Sequence, residues 1–415
     1  MTSDTTVEDL LRELAPQVLA ALVRRHGWFD LCEDAVQEAL IDAAASWPAR
    51  GVPDSPRGWL LTAANRRLID LARSEQSRRV REERFMFGAP PSELLRVPGQ
   101  DAGTGTDDTL VLLLLCCHPA LTPPSQIALT LRAVGGLTTA QIASAFFVPE
   151  ATMAQRISRA KQRIREAGAT FSMPPAGELE ARLAAVMHVL YLIFNEGYTA
   201  SSGTTVTRVE LTSEAIRLAR QLRRLRPDDG EAAGLLALML LTEARRPARL
   251  TAGGNLVDLA DQDRGKWNHE LIAEGVDLVT KALASGPPGA YQLQAAIAAV
   301  HDEAASTDDT DWPQIVALYQ VLERVAPSPM ATISRAVAVA MVHGPQAGLA
   351  MLARLDQDDR ISGHHRLYAV RGRLLEMAGD QRAAADAYRA AARLTSSTAE
   401  KRYLHARIRA LERNP

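Results

Sequence analysis

The sequence of 415 residues has little that would build a sheet, span a bilayer or form a disulfide scaffold. Cys32, Cys116 and Cys117 are its only cysteines, too few for a disulfide framework and suited to a reducing cytoplasm. Aromatic residues make up 5% of the chain against 47% hydrophobic residues overall, with alanine and leucine dominant, which favours helix over strand. The apolar run "TLVLLLLCCH" (109–118) is far shorter than a membrane span, and the acidic start "TSDTTVEDLL" lacks the basic opening of a signal peptide. A net charge of −2 excludes a polycation, so any contact with nucleic acid must come from local patches. No glycine-rich phosphate loop, nucleophile elbow or paired-carboxylate arrangement occurs, so enzyme chemistry is not expected. Cys116, Cys117 and His118 are adjacent, which is poor metal-ligand spacing, and His364 and His365 would point apart on a helix. No metal, cofactor or membrane contact is expected, and the expectation is an all-α cytoplasmic protein.

Proline and glycine divide the chain. Residues 6–84 read as helices with few breaks, and "FMFGAPPSELLRVPGQDAGTGTDD" (85–108) reads as a linker. Residues 109–170 form a second small helical block, and "FSMPPAG" (171–177) breaks the pattern again. From 178 to 415 the chain is helical once more, with loops expected near 199–206, 250–266 and 303–312.

The stretch "PEATMAQRISRAKQRIRE" (149–166) combines two helix faces. Met153, Ile157, Ala160 and Ile164 fall on one narrow stripe, while Thr152, Gln155, Arg156, Arg159 and Arg163 fall on a second, about a third of a turn away. Upstream, Thr138 followed by Gln141 is the capping-box start of a short helix, "TAQIASAF". A short helix, a tight "FVP" connection and a basic amphipathic helix make a helix-turn-helix, whose second helix enters the major groove.

The segment "ALTPPSQIALTLRAVGGLTTAQIASAFFVPEATMAQRISRAKQRIRE" (120–166) resembles region 4 of sigma-70-type initiation factors along its whole length. A second, distant segment agrees: "LCEDAVQEALIDAAASW" (31–47) is similar to the region 2.2 helix of extracytoplasmic-function (ECF) sigma factors, with its E-D-x-V-Q-E core. "PRGWLLTAANRRLIDLARSEQSRR" (56–79) then resembles regions 2.3 and 2.4, with a packing stripe of Leu61, Ala64, Leu68, Leu71 and Ala72. Between 66 and 84 seven arginines stand against four acids, a local excess suited to a phosphate backbone. The protein is identified as a member of the ECF sigma factors, in the group that carries a C-terminal tetratricopeptide-like (TPR-like) extension.

That resemblance implies a set of partners. Ala35, Val36, Ala39 and Leu40 would face the core of region 2. Glu33, Asp34, Gln37 and Glu38, with Asp42, would face outward and grip the β′ clamp helices of bacterial core RNA polymerase, while region 4 would meet the β flap. Asn65 and the loop "PARGVPDSPRG" (48–58) would hold a flipped base of the −10 element, with Arg66, Arg67, Arg73, Arg78 and Arg79 along the nontemplate strand. Thr152, Gln155, Arg156, Arg159 and Arg163 would face the −35 element of promoter DNA; by residue type Gln155 suits adenine and Arg156 or Arg159 guanine. The chain departs from the family at Phe147, where relatives often have glycine, and at Pro149, Ala154 and Gln155.

The region from 178 onward needs its own reading. "YAVRGRLLEMAGDQRAAADAYRAAARL" (368–394) fits a TPR repeat, with Gly372 in the first helix and Tyr388 filling the gap between neighbours. Weaker copies at 213–241 and 314–344 each carry a proline, Pro227 or Pro327, that would end one helix just before the next. The expectation is an α-solenoid of TPR-like helical pairs that controls the sigma domains in cis or takes a protein partner. Asn195, Glu196, Tyr198, Tyr291, Gln292, Gln294 and His301 punctuate otherwise apolar stretches. Two readings of them are open: helix caps that satisfy buried backbone, or a docking surface between solenoid and sigma domains or a ligand groove. A one-component DNA-binding regulator would leave "EDAVQE" and "WLLTAANRRLIDLAR" without a role.

Overall fold

The computed structural model describes residues 3–84, 108–146, 148–199, 208–251 and 253–413. Among them the chain is a succession of α-helices, with an isolated bridge between Leu250 and Leu256. No helix among the described residues is long and apolar enough to cross a membrane. Two compact units are present, Met1–Leu190 and Tyr191–Pro415.

The first unit opens with three helices, α1 (Ser3–His26), α2 (Phe29–Arg50) and α3 (Pro56–Arg84). Their shared core holds Val18, Leu22, Cys32, Val36, Leu60, Ala64 and Leu68, all buried, and is closed at one end by an edge-to-face Trp47–Trp59 pair at 5.5 Å. The reversal after α1 passes through Gly27 at φ 74°, a backbone conformation that favours glycine.

Four further helices follow: α4 (Thr109–Cys116), α5 (Pro123–Ala133), α6 (Thr139–Ala145) and α7 (Glu150–Glu166). The run read as too short for a bilayer supplies their core, with Leu112, Leu113, Leu114 and Leu115 buried. These helices pack directly on the first three. At Gly136, φ 69°, a methyl group would sit 3.2 Å from the Ala15 side chain, so backbone meets helix α1 closely there. Helix α8 (Ala176–Tyr198) begins against this block, where the Arg182 guanidinium donates to the Leu114 carbonyl at 2.8 Å.

The second unit runs through α9 (Val209–Leu225), α10 (Gly230–Ala244), α11 (His269–Ala284), α12 (Ala290–Glu303), α13 (Trp312–Val325), α14 (Pro329–His343), α15 (Pro345–Ala353), α16 (His365–Met377), α17 (Gln381–Leu394) and α18 (Thr398–Arg413). Each packs chiefly on its sequence neighbours through successive small cores, the pattern of a solenoid. Pro227 and Pro327 fall in the turns between α9 and α10 and between α13 and α14. The segment 368–394 spans the α16–α17 helix pair: a methyl group on Gly372 would lie 2.7 Å from the Tyr388 ring, so the tyrosine needs a glycine opposite it. One long-range tie departs from neighbour-only packing, as the Tyr403 hydroxyl on α18 donates to Asp258 at 2.6 Å in the loop before α11.

His364 and His365 correct an expectation. His364 is the N-cap of α16, not a residue of its interior, and its ring stacks on His365 with centroids 4.4 Å apart, so the two do not point apart.

Candidate nucleic-acid interface and the acidic face of helix α2

The helix-turn-helix is built as its local sequence dictates. Thr138 Oγ1 accepts from the Gln141 amide at 3.1 Å and Gln141 Oε1 accepts from the Thr138 amide at 2.8 Å, the reciprocal capping box. Pro149 is the N-cap of α7, one position before the first helical turn. Met153, Ile157, Ala160 and Ile164 are buried against α5 and α6. On the other stripe Thr152, Gln155, Arg159 and Arg163 are exposed and Arg156 is half-buried. None of these arginines pairs with a carboxylate among the described residues, so their donors are free for an anionic ligand. Phe147 lies outside the described residues.

Lys161 is the residue that helical periodicity did not single out. It stands on the flank of the buried stripe away from the arginines, and it is itself buried. Its ammonium donates to Glu33 Oε2 at 2.6 Å and to Asp34 Oδ1 at 2.7 Å. Burial works against that charge, but the two carboxylates outweigh it and hold the Lys161 pKa above the usual lysine value. Arg132 on α5 donates from Nε to the other Glu33 oxygen at 2.8 Å, and Gln37 donates to the Arg132 carbonyl at 2.9 Å. At the edge Arg165 pairs with Asp30 at 2.9 Å.

This geometry corrects the expected outward placement of Glu33 and Gln37. Both point away from the core of the first three helices, as the helical register requires, but α5 and α7 cover them: the Glu33 side chain is 1% exposed. Carboxylates that would be costly to bury alone are accommodated because two cations arrive with the covering helices. Asp34 is half-exposed beside Lys161. Glu38 stays exposed, and with Asp42 it faces Arg67 at 3.4 and 3.2 Å respectively.

On α3, Arg66, Arg67 and Arg73 are exposed. Asn65 is half-buried, its Oδ1 accepting from His26 Nε2 at 3.1 Å. Arg78 and Arg79 lie on the same helix, and their side chains fall outside the described part.

The polar residues of the C-terminal stretches find partners inside the second unit. Glu196 pairs with Arg208 at 2.7 Å. Tyr198 stacks on Phe194 at 5.9 Å and carries the Arg249 guanidinium 4.0 Å above its ring. Tyr291 meets Tyr191 at 5.6 Å, and the Tyr291 and Gln292 amides donate to Glu231 at 3.1 and 3.0 Å, capping α12 from α10. Gln294 donates to the Ala290 carbonyl at 3.2 Å and His301 packs edge-on against Trp312 at 5.1 Å. Asn195 is half-buried on α8 and its carbonyl accepts from Thr199. These contacts are helix caps and interior packing within the second unit.

A capped short helix followed by a helix with an exposed basic stripe has the arrangement of a helix-turn-helix, here packed against a three-helix block that carries acidic residues on α2. The comparisons are specific about its class. "Sigma-70 region 2" matches residues 10–78 and "Sigma-70, region 4" matches residues 112–164, while a family of unknown function (DUF6596) matches residues 182–283. An uncharacterized protein of Rhizobium meliloti, R00370, is 42% identical over all of this chain and 98% of its own length. The probable ECF RNA polymerase sigma factor SigI of Mycobacterium tuberculosis is 29% identical over 37% of this chain and 52% of its own. The ECF RNA polymerase sigma factor SigK of Mycobacterium ulcerans is 32% identical over 27% of this chain and 54% of its own. The chain thus spans about half the length of these two mycobacterial relatives. No solved structure matches. The chain belongs to the sigma-70 family, as a member of the ECF sigma factors with a C-terminal extension that includes the family of unknown function.

Proposed function

We propose that this protein is an alternative sigma factor, acting in the cytoplasm, that binds bacterial core RNA polymerase and directs it to promoters. The observation that carries the reading is the free basic stripe of α7 behind a capped α6, in a chain that also contains sigma region 2. In this reading residues 6–84 take the −10 element and the clamp helices, and residues 109–170 take the −35 element and the β flap. The residues involved are Glu33, Asp34, Gln37 and Glu38 for polymerase. For −10 DNA they are Asn65, Arg66, Arg73, Arg78 and Arg79, with Arg67 freed from its acidic neighbours. For −35 DNA they are Thr152, Gln155, Arg156, Arg159 and Arg163. Phosphate contacts supply register and salt-dependent affinity, and base-edge contacts supply specificity. Bond-making in transcription belongs to polymerase, so the sigma chain contributes positioning alone. The TPR-like region, residues 178–415, acts on initiation in cis or through a protein partner.

The test is co-elution of the full-length protein with bacterial core RNA polymerase, followed by run-off transcription from candidate promoters. Stoichiometric co-elution and promoter-dependent transcripts are the expected result. Binding to DNA with no affinity for core polymerase would replace this reading with a one-component regulator.

A further inference from the structure

We propose that the second unit carries a binding site for a small organic carboxylate with an apolar body, in the cavity between the α10–α11 connection and helices α16 and α18. The site lies wholly within that unit and does not depend on the sigma reading above.

The α10–α11 connection is a built element. The Val257 amide donates to the Arg249 carbonyl at 2.9 Å, and Leu250 and Leu256 form the isolated bridge, so the chain turns back on itself there. Gln262 braces the segment that follows by donating to the Val257 carbonyl at 3.2 Å. Stacking of neighbouring helical pairs gives no reason for residues 249–262 to meet residues 365–404. The Tyr403–Asp258 bond brings them together, and the space between them is a cavity of about 330 Å³. Small-molecule sites fall at about 300–1,000 Å³.

Its walls combine two chemistries. Leu256, Val257, Leu259 and Leu404 give an apolar lining, while Arg249 and Arg366 bring guanidinium groups and Asp258 and Glu400 bring carboxylates. Both carboxylates are already engaged. Asp258 accepts from Tyr403; Glu400 accepts from Thr395 and stands 3.1 Å from His365 Nε2. The guanidinium groups are not matched in the same way. Arg366 is exposed at the rim, with no carboxylate in ion-pair reach among the described residues. Arg249 is half-buried, and its partners are neutral: the Tyr198 carbonyl, Thr199 Oγ1 at 2.7 Å and the Tyr198 ring. Burial lowers the Arg249 pKa, as it does for a cation whose counter-ion is not at hand. A second cavity of about 390 Å³, against α9 and α11, shows the contrast. Arg217, Arg220 and Arg246 line it, and each is paired with a glutamate.

Two guanidinium groups short of a carboxylate, beside an apolar lining, complement a ligand that is anionic at one end and hydrocarbon at the other. The planar fork of arginine matches a carboxylate through two parallel hydrogen bonds. The leucines and valine take the hydrocarbon, which a bare inorganic anion would leave facing water. A cationic ligand finds no acid to receive it, because Asp258 and Glu400 already have donors.

The experiment is isothermal titration calorimetry on the full-length protein. The probes are octanoate and 3-phenylpropionate, their neutral amides, the corresponding primary amines, and inorganic phosphate. At least one carboxylate should bind saturably at one site, about tenfold or more tighter than its amide and its amine. Arg366→Gln, at an exposed position, should remove about tenfold of that preference without changing the circular dichroism. Leu256→Trp should fill the cavity and abolish binding; if it fails to fold, Arg366→Gln carries the test alone. Absence of saturable carboxylate binding overturns the site. Equal affinity for the amide or the amine, or binding of phosphate alone, overturns the ligand class. Carboxylate binding unchanged by Arg366→Gln places the ligand elsewhere and overturns the assignment. Polymerase takes no part in these measurements, so each of those results leaves the sigma reading standing.

Discussion

Lys161 donates to Glu33 across 2.6 Å, although 128 positions separate them in the chain. One stands on the helix that carries the exposed basic stripe, the other on the helix whose acidic residues are proposed to meet polymerase. A buried ion pair of this kind adds little net stability over an apolar pair, yet removing one partner alone leaves the other charge stranded. That asymmetry ties α7 to α2: neither charge can be lost without stranding the other.

Glu33→Gln and Lys161→Met should each lower the unfolding free energy of the first unit, by about 2–3 kcal/mol, because Asp34 still faces Lys161 in the first variant and Arg132 still faces Glu33 in the second. The double variant should lose less than the sum, with a coupling of about 1 kcal/mol or more. Urea unfolding of the four proteins measures it. Additivity within about 0.5 kcal/mol would show that the pair does not act as a unit.

Arg159→Ala and Arg163→Ala should weaken −35 DNA binding and each reduce the slope of log affinity against log salt by about 1. Their guanidinium groups have no described carboxylate to leave. Arg67→Ala should change DNA binding less than Arg66→Ala, since Arg67 is already engaged with Glu38 and Asp42. Salt titrations followed by fluorescence anisotropy separate the two cases.

The sequence made some of this legible and hid the rest for a physical reason. The Thr138–Gln141 capping box and the buried stripe of α7 are local, so spacing alone exposes them. The Gly372–Tyr388 contact joins two helices that are adjacent in the chain. Helical register aims Glu33 and Gln37 away from the first three helices, but spacing within α2 says nothing about what covers that face. Lys161 lies among many basic residues, and its only local sign was a position beside the packing stripe. His364 misled because a residue at a helix N-cap does not follow the angular rule of the helix interior. The polar residues of α8 and α12 likewise meet Arg249, Glu231 and Trp312, partners on other elements that helical spacing does not reveal.

The α16–α17 contact sets a packing limit. Gly372→Ala should destabilise the second unit by about 1–3 kcal/mol, since a methyl group would meet the Tyr388 ring. Tyr388→Ala should lose about 3–5 kcal/mol by leaving a cavity. Tyr388→Phe, which keeps the ring and gives up only the 2.9 Å bond to Glu376, should lose about 1–2 kcal/mol. Chemical unfolding of the three variants ranks them, and equal losses for Tyr388→Phe and Tyr388→Ala would place the energy in the hydroxyl rather than in packing.

Two neighbours on α12 should give the second unit opposing responses to acid. Burial lowers His301 from 6.5 to about 4, helped by the charges of Arg245 and Arg264. Burial raises Asp302 from 3.8 to about 6, despite its 2.5 Å pair with Arg245. Below pH 6.5 the unfolded chain protonates His301 before the folded one, so this group withdraws stability as pH falls from about 6.5 to 4. Asp302 does the reverse, because the folded chain takes its proton first, so its contribution grows as pH falls from about 6 to 4. Each effect is about 3 kcal/mol, and in the wild type they nearly cancel. His301→Gln should therefore gain stability on acidification relative to wild type, and Asp302→Asn should lose it. Urea unfolding followed by circular dichroism at intervals from pH 7 to pH 4 gives the two slopes. Slopes of the same sign would mean that one of these side chains is not buried in the folded unit as its contacts with Trp312 and Arg245 require.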